Sequence, residues 1–184
     1  MIVIMSEATD KLFEISDCQA RRLGSGEYLF HMGDPVHSLF LILDGTVQLV
    51  RHQENGDAIV LQHAMPGDVI AEASLFSGAY HCDALAVAPT TVRAVSKQKA
   101  LRKFRKDPKF AEAWAAHLAS EVQLARLKSQ ILSLKTVALR LDAWFTWNPG
   151  ALPPKGQWKQ IASQIGVSPE ALYRELAKRR KEKI

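Results

Sequence analysis

Between Gly24 and Ser96 the apolar positions fall into short runs: Tyr28-Leu29-Phe30, Leu39-Phe40-Leu41-Ile42-Leu43, Val47-Gln48-Leu49-Val50, Ala58-Ile59-Val60-Leu61, Ala84-Leu85-Ala86-Val87 and Thr91-Val92-Arg93-Ala94-Val95. Turn-forming residues separate them, at Gly33-Asp34-Pro35, Asp44-Gly45, Asn55-Gly56-Asp57 and Pro66-Gly67-Asp68. The glycines Gly33, Gly45, Gly56 and Gly67 lie 12, 11 and 11 residues apart. That rhythm predicts short antiparallel strands folding back and forth, as in a sandwich or jelly roll.

From Lys97 the period lengthens. Phe110, Ala113, His117, Ser120, Leu124, Leu127, Ile131 and Leu134 step alternately by three and four residues. A second stripe follows Ala111, Ala115, Leu118, Val122, Ala125 and Leu132. One long helix with two apolar faces has two things to pack against, and the expectation is the β domain on one side and the same helix of a second chain on the other. Leu118, Val122, Ala125 and Leu132 are the expected dimer positions; a single wide stripe on a monomer's helix is the alternative. His117 reads as a packed core residue rather than a metal ligand. A second helix is expected over about 134–145, then a break at Trp147-Asn148-Pro149-Gly150-Ala151-Leu152-Pro153-Pro154.

The last stretch reads as a helix over Gln157–Ile165, a turn at Gly166-Val167 and a helix over Pro169–Lys181. Ser168 is a good N-cap, and Pro169 then occupies the first helical position, where its missing N–H costs nothing. Ala162 allows a close helix crossing, and Ile161, Ile165, Val167, Leu172 and Leu176 supply a small core. This is the layout of a helix-turn-helix, whose second helix offers its N-terminal residues to the major groove. Glu170 and Arg174, four apart, share one face of it. An arginine can grip guanine O6 and N7, and a glutamate can accept from cytosine N4. A helical hairpin with a surface ion pair is the plainer alternative.

Composition narrows the setting. Of 184 residues 47% are hydrophobic, which excludes general disorder. No apolar run reaches the roughly 18 residues a bilayer crossing needs, and the opening Met1-Ile2-Val3-Ile4-Met5 is too short for a signal peptide. Two cysteines, Cys18 and Cys82, make no disulfide framework, so a cytoplasmic location is expected. The net charge of +5 is wholly local: residues 1–154 balance to zero, while residues 155–184 carry eight basic against three acidic side chains. Charge placed on the helix-turn-helix points to double-stranded DNA as partner, with a solvated basic tail as the alternative.

A β roll, a long helix and a C-terminal helix-turn-helix, in that order over about residues 20–184, resemble the CRP/FNR (cyclic AMP receptor/fumarate-nitrate regulator) family of bacterial transcription factors. The more specific motifs are Gly67-Asp68-Val69-Ile70-Ala71-Glu72-Ala73-Ser74-Leu75-Phe76 and Ser168-Pro169-Glu170-Ala171-Leu172-Tyr173-Arg174. The resemblance implies an α+β fold: a jelly-roll β domain of the cyclic-nucleotide-binding type over 1–106, a dimerisation helix over 107–136, and a short or wingless DNA-binding helix-turn-helix over 137–184. It places base contacts on Glu170 and Arg174, with Ser168, Tyr173 and Lys178 completing the DNA-binding set. Pro169 stands where many members have an arginine. The chain runs to Ile184 within a Lys/Arg-rich run, without the hairpin that usually follows in the family. Glu175 and Arg179 stand where aliphatic packing is expected, so weaker packing is anticipated there.

The nucleotide cassette departs further. The resemblance implies an effector pocket at Glu72, Ala73, Ser74, Cys82, Asp83, Ala84 and Arg126, with Glu72 holding the ribose hydroxyl. Ala71 replaces a glycine, Cys82 takes the place of the phosphate-binding arginine, Asp83 that of a hydroxyl, and Ala125 and Arg126 those of the purine-facing hydroxyls. Exchanging a bidentate phosphate partner for a thiol beside a carboxylate replaces attraction with repulsion, so cyclic AMP is disfavoured. Arg126 of a second chain is the one cation that could offset this. Tyr80-His81-Cys82-Asp83 is the densest chemical cluster; a thiolate and an imidazole could hold haem iron or a metal, but in a strand His81 and Cys82 point to opposite faces, and Cys82 as a small packed residue is the plainer reading. No cofactor and no metal site are predicted. The expectation is a homodimeric cytoplasmic transcription regulator, not an enzyme, with an inverted-repeat operator and RNA polymerase as a further partner. Alternatives are a non-DNA-binding anti-regulator module and a sensor of another effector (haem, redox or small molecule). A cupin-type enzyme would need a His-x-His pair, which the chain lacks.

Overall fold

The computed structural model describes residues 19–150 and 152–182. Cys18 and the Met1–Met5 opening lie outside them. The chain divides into two compact units, one ending at Leu118 and one beginning at Ala119.

The first unit is a sandwich of two antiparallel four-stranded sheets. Its strands are β1 (Gln19–Leu23), β2 (Tyr28–Phe30), β3 (Ser38–Asp44), β4 (Val47–His52), β5 (Ala58–Ala64), β6 (Val69–Ile70), β7 (Asp83–Ala86) and β8 (Thr90–Ser96). One sheet runs β1-β8-β3-β6 and the other β2-β7-β4-β5. Between them lie Phe30, Phe40, Ile42, Val47, Leu49, Ile70, Ala84 and Val92, all buried; burying each large side chain stabilises the fold by about 1.5–3 kcal/mol. The unbroken apolar run Leu39–Ile42 has its cause in β3, which is covered on both faces there, while Leu43, the last apolar residue of the run, is exposed. Phe40 and Ile42 point into the sandwich, while Leu39 and Leu41 join Val69, Leu75 and Val95 under helices.

Those helices are α1 (Lys97–Lys106) and the beginning of α2 (Pro108–Ser133), which contribute Ala100, Phe110 and Trp114 to that second core. Ser96 caps α1 by accepting from Lys99 N, and Asp107 caps α2 by accepting from Phe110 N at 3.1 Å. Gly45 shows why the β3–β4 turn needs glycine. Its φ is +88°, and a Cβ there would sit 2.4 Å from the Pro89 carbonyl oxygen.

The second unit holds the rest of α2, then α3 (Val137–Trp147), α4 (Trp158–Gln164) and α5 (Pro169–Glu182). Ile131, Leu141, Trp144, Trp158, Ile161, Ile165, Leu172 and Leu176 form its core. The two stripes of α2 separate only in part. The buried one serves both units rather than the β domain alone, with Phe110 in a core of the first and Ile131 in that of the second. Leu118, an expected dimer position on the other stripe, lies half-buried against the first unit's helix-covered core. Phe110, His117 and Ile131 of the first are buried, while Ala115, Val122, Ala125 and Leu132 of the second are exposed. Leu124 departs from expectation: it belongs to the first stripe but is 47% exposed, because it joins neither core. Among the described residues no helix is long and apolar enough to cross a membrane.

Candidate functional site

The C-terminal helices are joined by a turn whose shape the sequence encodes residue by residue. α4 ends on Gly166 at φ +64°, with Gly166 N donating to Ser163 O and Val167 N to Ala162 O. This is the paired-bond arrangement that satisfies a helix's last carbonyls and depends on a left-handed residue. Ser168 then caps α5, its hydroxyl accepting from Ala171 N at 3.2 Å. Glu170 and Arg174 are exposed on the first turns of α5. The Glu170 carboxyl is held below the usual carboxylate range by its own backbone N–H and then by the Ser168 hydroxyl, so at neutral pH it is an ionised acceptor. Lys178 extends this face one turn further and is also exposed.

Tyr173 is placed differently. It is half-buried, its ring centroid 5.6 Å from that of Trp158, and Arg180 lies over the other ring of this pair, 5.5 Å from the Trp158 centroid. Tyr173 thus braces α5 against α4. Glu175 and Arg179, expected to weaken packing, instead form a clamp. Arg179 donates to Glu175 Oε1 (2.7 Å), to Asp142 Oδ1 (2.6 Å) and to Ala138 O (2.9 Å), tying α5 to α3. Arg179→Ala is expected to lower the unfolding free energy of the second unit by about 1–2 kcal/mol, read as an earlier urea midpoint with unchanged helix content.

Sequence reasoning missed Arg140, in the first turn of α3. Its guanidinium donates to Leu132 O (2.9 Å), Leu134 O (2.8 Å), Ile165 O (3.1 Å) and Gly166 O (2.9 Å). No local signal marks such a residue, since two of its partners lie 25 and 26 positions away.

In the first unit the residues expected around an effector diverge. Glu72, Ser74 and Cys82 do line one cavity, together with Ala71, Phe30 and Leu49, but its volume is about 80 Å³. Among the described residues no lysine or arginine lines it. Ala73 is exposed, Ala84 is packed in the sandwich, and Asp83 does not line the cavity. Asp83 is buried and accepts from Met32 N at 2.8 Å, with His31 Nδ1 at 3.3 Å and His52 Nε2 at 3.7 Å. Arg126 belongs to the second unit, where it is exposed on α2. Ala71 keeps a left-handed φ of 69° without being glycine, a conformation that costs an alanine about 1 kcal/mol.

The Tyr80–Asp83 cluster also comes apart. Tyr80 stacks on Phe30 at 3.8 Å and donates its hydroxyl to Ser38 O; burial raises its pKa. His81 is exposed, with Nδ1 3.2 Å from Ser74 Oγ, yet it lines the same cavity as Cys82; the opposite faces expected of a strand do not apply because β7 begins only at Asp83. Cys82 is buried, and that burial pushes its thiol up to about 11, against a smaller opposing pull from Arg51. A thiol that stays protonated is a poor ligand and a poor nucleophile. Among the described residues no three His, Cys, Asp or Glu side chains are grouped to hold a metal. The raised thiol has a consequence for stability. Above the ordinary value of 9.0 the unfolded chain's Cys82 ionises while the folded one does not. Stability attributable to it therefore falls as pH rises toward 11, by up to about 1.4 kcal/mol per pH unit. Cys82→Ala is expected to flatten that slope in urea titrations across this range.

Residues 20–107 match the cyclic nucleotide-binding domain family. The cyclic AMP receptor protein of Thermus thermophilus is 30% identical over 128 residues, covering 69% of this chain and 59% of that protein. The cAMP-activated global transcriptional regulator CRP of Escherichia coli is 26% identical over 144 residues, covering 76% of this chain and 69% of its own length. This chain thus spans 59% of the length of the Thermus relative. Among solved structures, FixK2 from Bradyrhizobium japonicum superposes with a TM-score of 0.71 at 20% identity, covering 91% of this chain and 86% of that one.

Proposed function

The chain belongs to the CRP/FNR family, and on that premise we propose that it regulates transcription by binding double-stranded DNA as a homodimer, without cyclic AMP as effector. The observation that carries the reading is the exposure of ionised Glu170 and Arg174 together on the first turns of α5, a helix seated by a glycine turn and a serine cap. In that position Arg174 reads guanine, Glu170 reads cytosine, and Ser168 and Lys178 meet the backbone. Tyr173 serves by fixing the helix on α4. The exposed stripe of Ala115, Val122, Ala125 and Leu132 on α2 is the dimer surface. A two-fold dimer offers two such helices, so the operator is an inverted repeat.

Two features support the absence of cyclic AMP. The cavity at Glu72 and Cys82 is about 80 Å³, whereas sites for drug-sized ligands start near roughly 300 Å³. It also presents a carboxylate and no lining cation to a phosphate.

Selection of genomic fragments by the purified protein, at low and at moderate salt, tests the reading. Enrichment of an inverted repeat that survives moderate salt without added nucleotide is the expected result. Binding that is sequence-blind and lost with salt would overturn it and favour an anti-regulator module, since phosphate contacts alone give that behaviour.

A further inference from the structure

The stretch joining α2 to α3, Leu134-Lys135-Thr136, has the makings of a loose hinge. It carries no strand or helix of its own and is bounded by the end of one helix and the Thr136 cap of the next, which accepts from Leu139 N. Arg140 bridges it. Its Nε and Nη2 hold the carbonyls of Leu134 and Leu132, at the C-terminal end of α2. Its Nη1 holds the carbonyls of Ile165 and Gly166, at the C-terminal end of α4. Both sets are carbonyls that a helix end leaves without an internal partner, and both lie at the negative pole of a helix dipole. One guanidinium thus satisfies two helix ends at once. Packing reinforces the bridge: a Cβ on Gly166 would lie 2.4 Å from Leu132 Cδ2, so the turn is pressed against the end of α2.

We propose that Arg140 is a positioning residue for DNA recognition: it locks the turn before α5 to the end of α2, and so sets the direction of the reading helix relative to the helix that dimerises. The inference rests on the regulator reading above and deepens it, because a fixed direction in each chain becomes a fixed half-site spacing in the dimer. It also identifies α2, α3 and the α4–α5 turn as one wired piece, with spacing set within the second unit itself. Lysine cannot replace it. An ammonium keeps the charge but has no planar fork to span four carbonyls on two helices.

Arg140→Lys and Arg140→Gln test this in the full chain, with circular dichroism checking that both fold. The first readout is a distance within one chain, between spin labels at Gln123→Cys on α2 and Lys181→Cys on α5, with Cys18 and Cys82 replaced by alanine and labelled chains diluted into unlabelled ones. The wild type is expected to give one narrow distance distribution, and both variants one at least twice as broad. The second readout is affinity for the selected operator with its half-sites moved apart or together by one base pair. The wild type is expected to lose at least 10-fold for either change, and Arg140→Lys less than 3-fold. An unbroadened distribution in both variants would overturn the proposal, even if the operator is bound. Broadening without any sequence-specific DNA binding would leave the latch standing and overturn the regulator reading instead.

Discussion

Replacing Arg174 by alanine is expected to abolish selective binding to the operator while leaving the fold intact. Arg174 is exposed on α5 and contributes nothing to the core of the second unit, so its removal leaves Leu172 and Leu176 seated as before. A good bidentate arginine–guanine pair is worth about 1–3 kcal/mol of discrimination. A homodimer loses it twice, so the combined cost is about 2–6 kcal/mol, or about 30-fold to 10⁴-fold in affinity. The effect falls on sequence preference rather than on charge alone. On non-operator DNA the variant should lose only what one fewer positive charge per chain removes. Lys178→Ala should behave the opposite way, weakening operator and non-operator DNA alike. It should also reduce the dependence of log affinity on log salt by about one unit for each phosphate left without its lysine. Fluorescence anisotropy with operator and scrambled duplexes at three salt concentrations separates the two patterns. Arg174→Ala binding the operator within 3-fold of wild type would remove α5 from the reading role.

How far the sequence announces all this depends on the range of each interaction. The sandwich was legible because strands and turns leave local marks. The turn glycines Gly33, Gly45, Gly56 and Gly67 all take positive φ, and the run from Leu39 to Ile42 has its explanation in a strand covered on both faces. The C-terminal turn was legible for the same reason, since Gly166, Ser168 and Pro169 each act within a few residues of themselves. Helix α3 begins at Val137 rather than near 134 because Thr136, not an earlier residue, provides the cap. What was not legible is long-range and polar. Arg140 reaches carbonyls at two helix ends, and Arg179 finds Asp142 across 37 positions. In the bare sequence Arg140 looks like an ordinary surface cation and Arg179 like a charge standing where an aliphatic side chain belongs. Apolar period has a related blind spot. It shows that Leu124 belongs to a stripe, but not that the helix meets neither core at that point. The Tyr80–Asp83 cluster misleads in the opposite direction. Of four reactive side chains adjacent in sequence, Tyr80 goes to the core and Asp83 to a pair of histidines, while His81 and Cys82 meet at one small cavity, His81 from its exposed rim and Cys82 from the core.

That divergence governs the second large effect, expected when Cys82 is changed to arginine. On the resemblance alone this substitution restores a phosphate partner and should bring back nucleotide binding. The packing argues for the reverse. Cys82 is 2% exposed and belongs to the sandwich core with Phe30, Phe40 and Leu49, and the adjoining cavity of about 80 Å³ has no room for both a guanidinium and a nucleotide. A cation forced to that depth loses its hydration, and a charge buried without a full set of partners costs about 3–5 kcal/mol even after local relaxation. Glu72 lines the same cavity and would draw the new guanidinium to itself, so the group meant for phosphate is already paired. Cys82→Arg is therefore expected to lower the unfolding free energy of the β sandwich by about 3 kcal/mol or more, and to show no binding of cyclic AMP at millimolar concentration. Thermal melting with and without nucleotide, alongside calorimetric titration, reads both quantities. Micromolar binding in a variant that melts like the wild type would mean that the sandwich is an intact nucleotide site silenced at one position. Destabilisation without binding would mean that side chains have grown into the space the ligand would need, leaving the sandwich a packed body with no nucleotide to respond to.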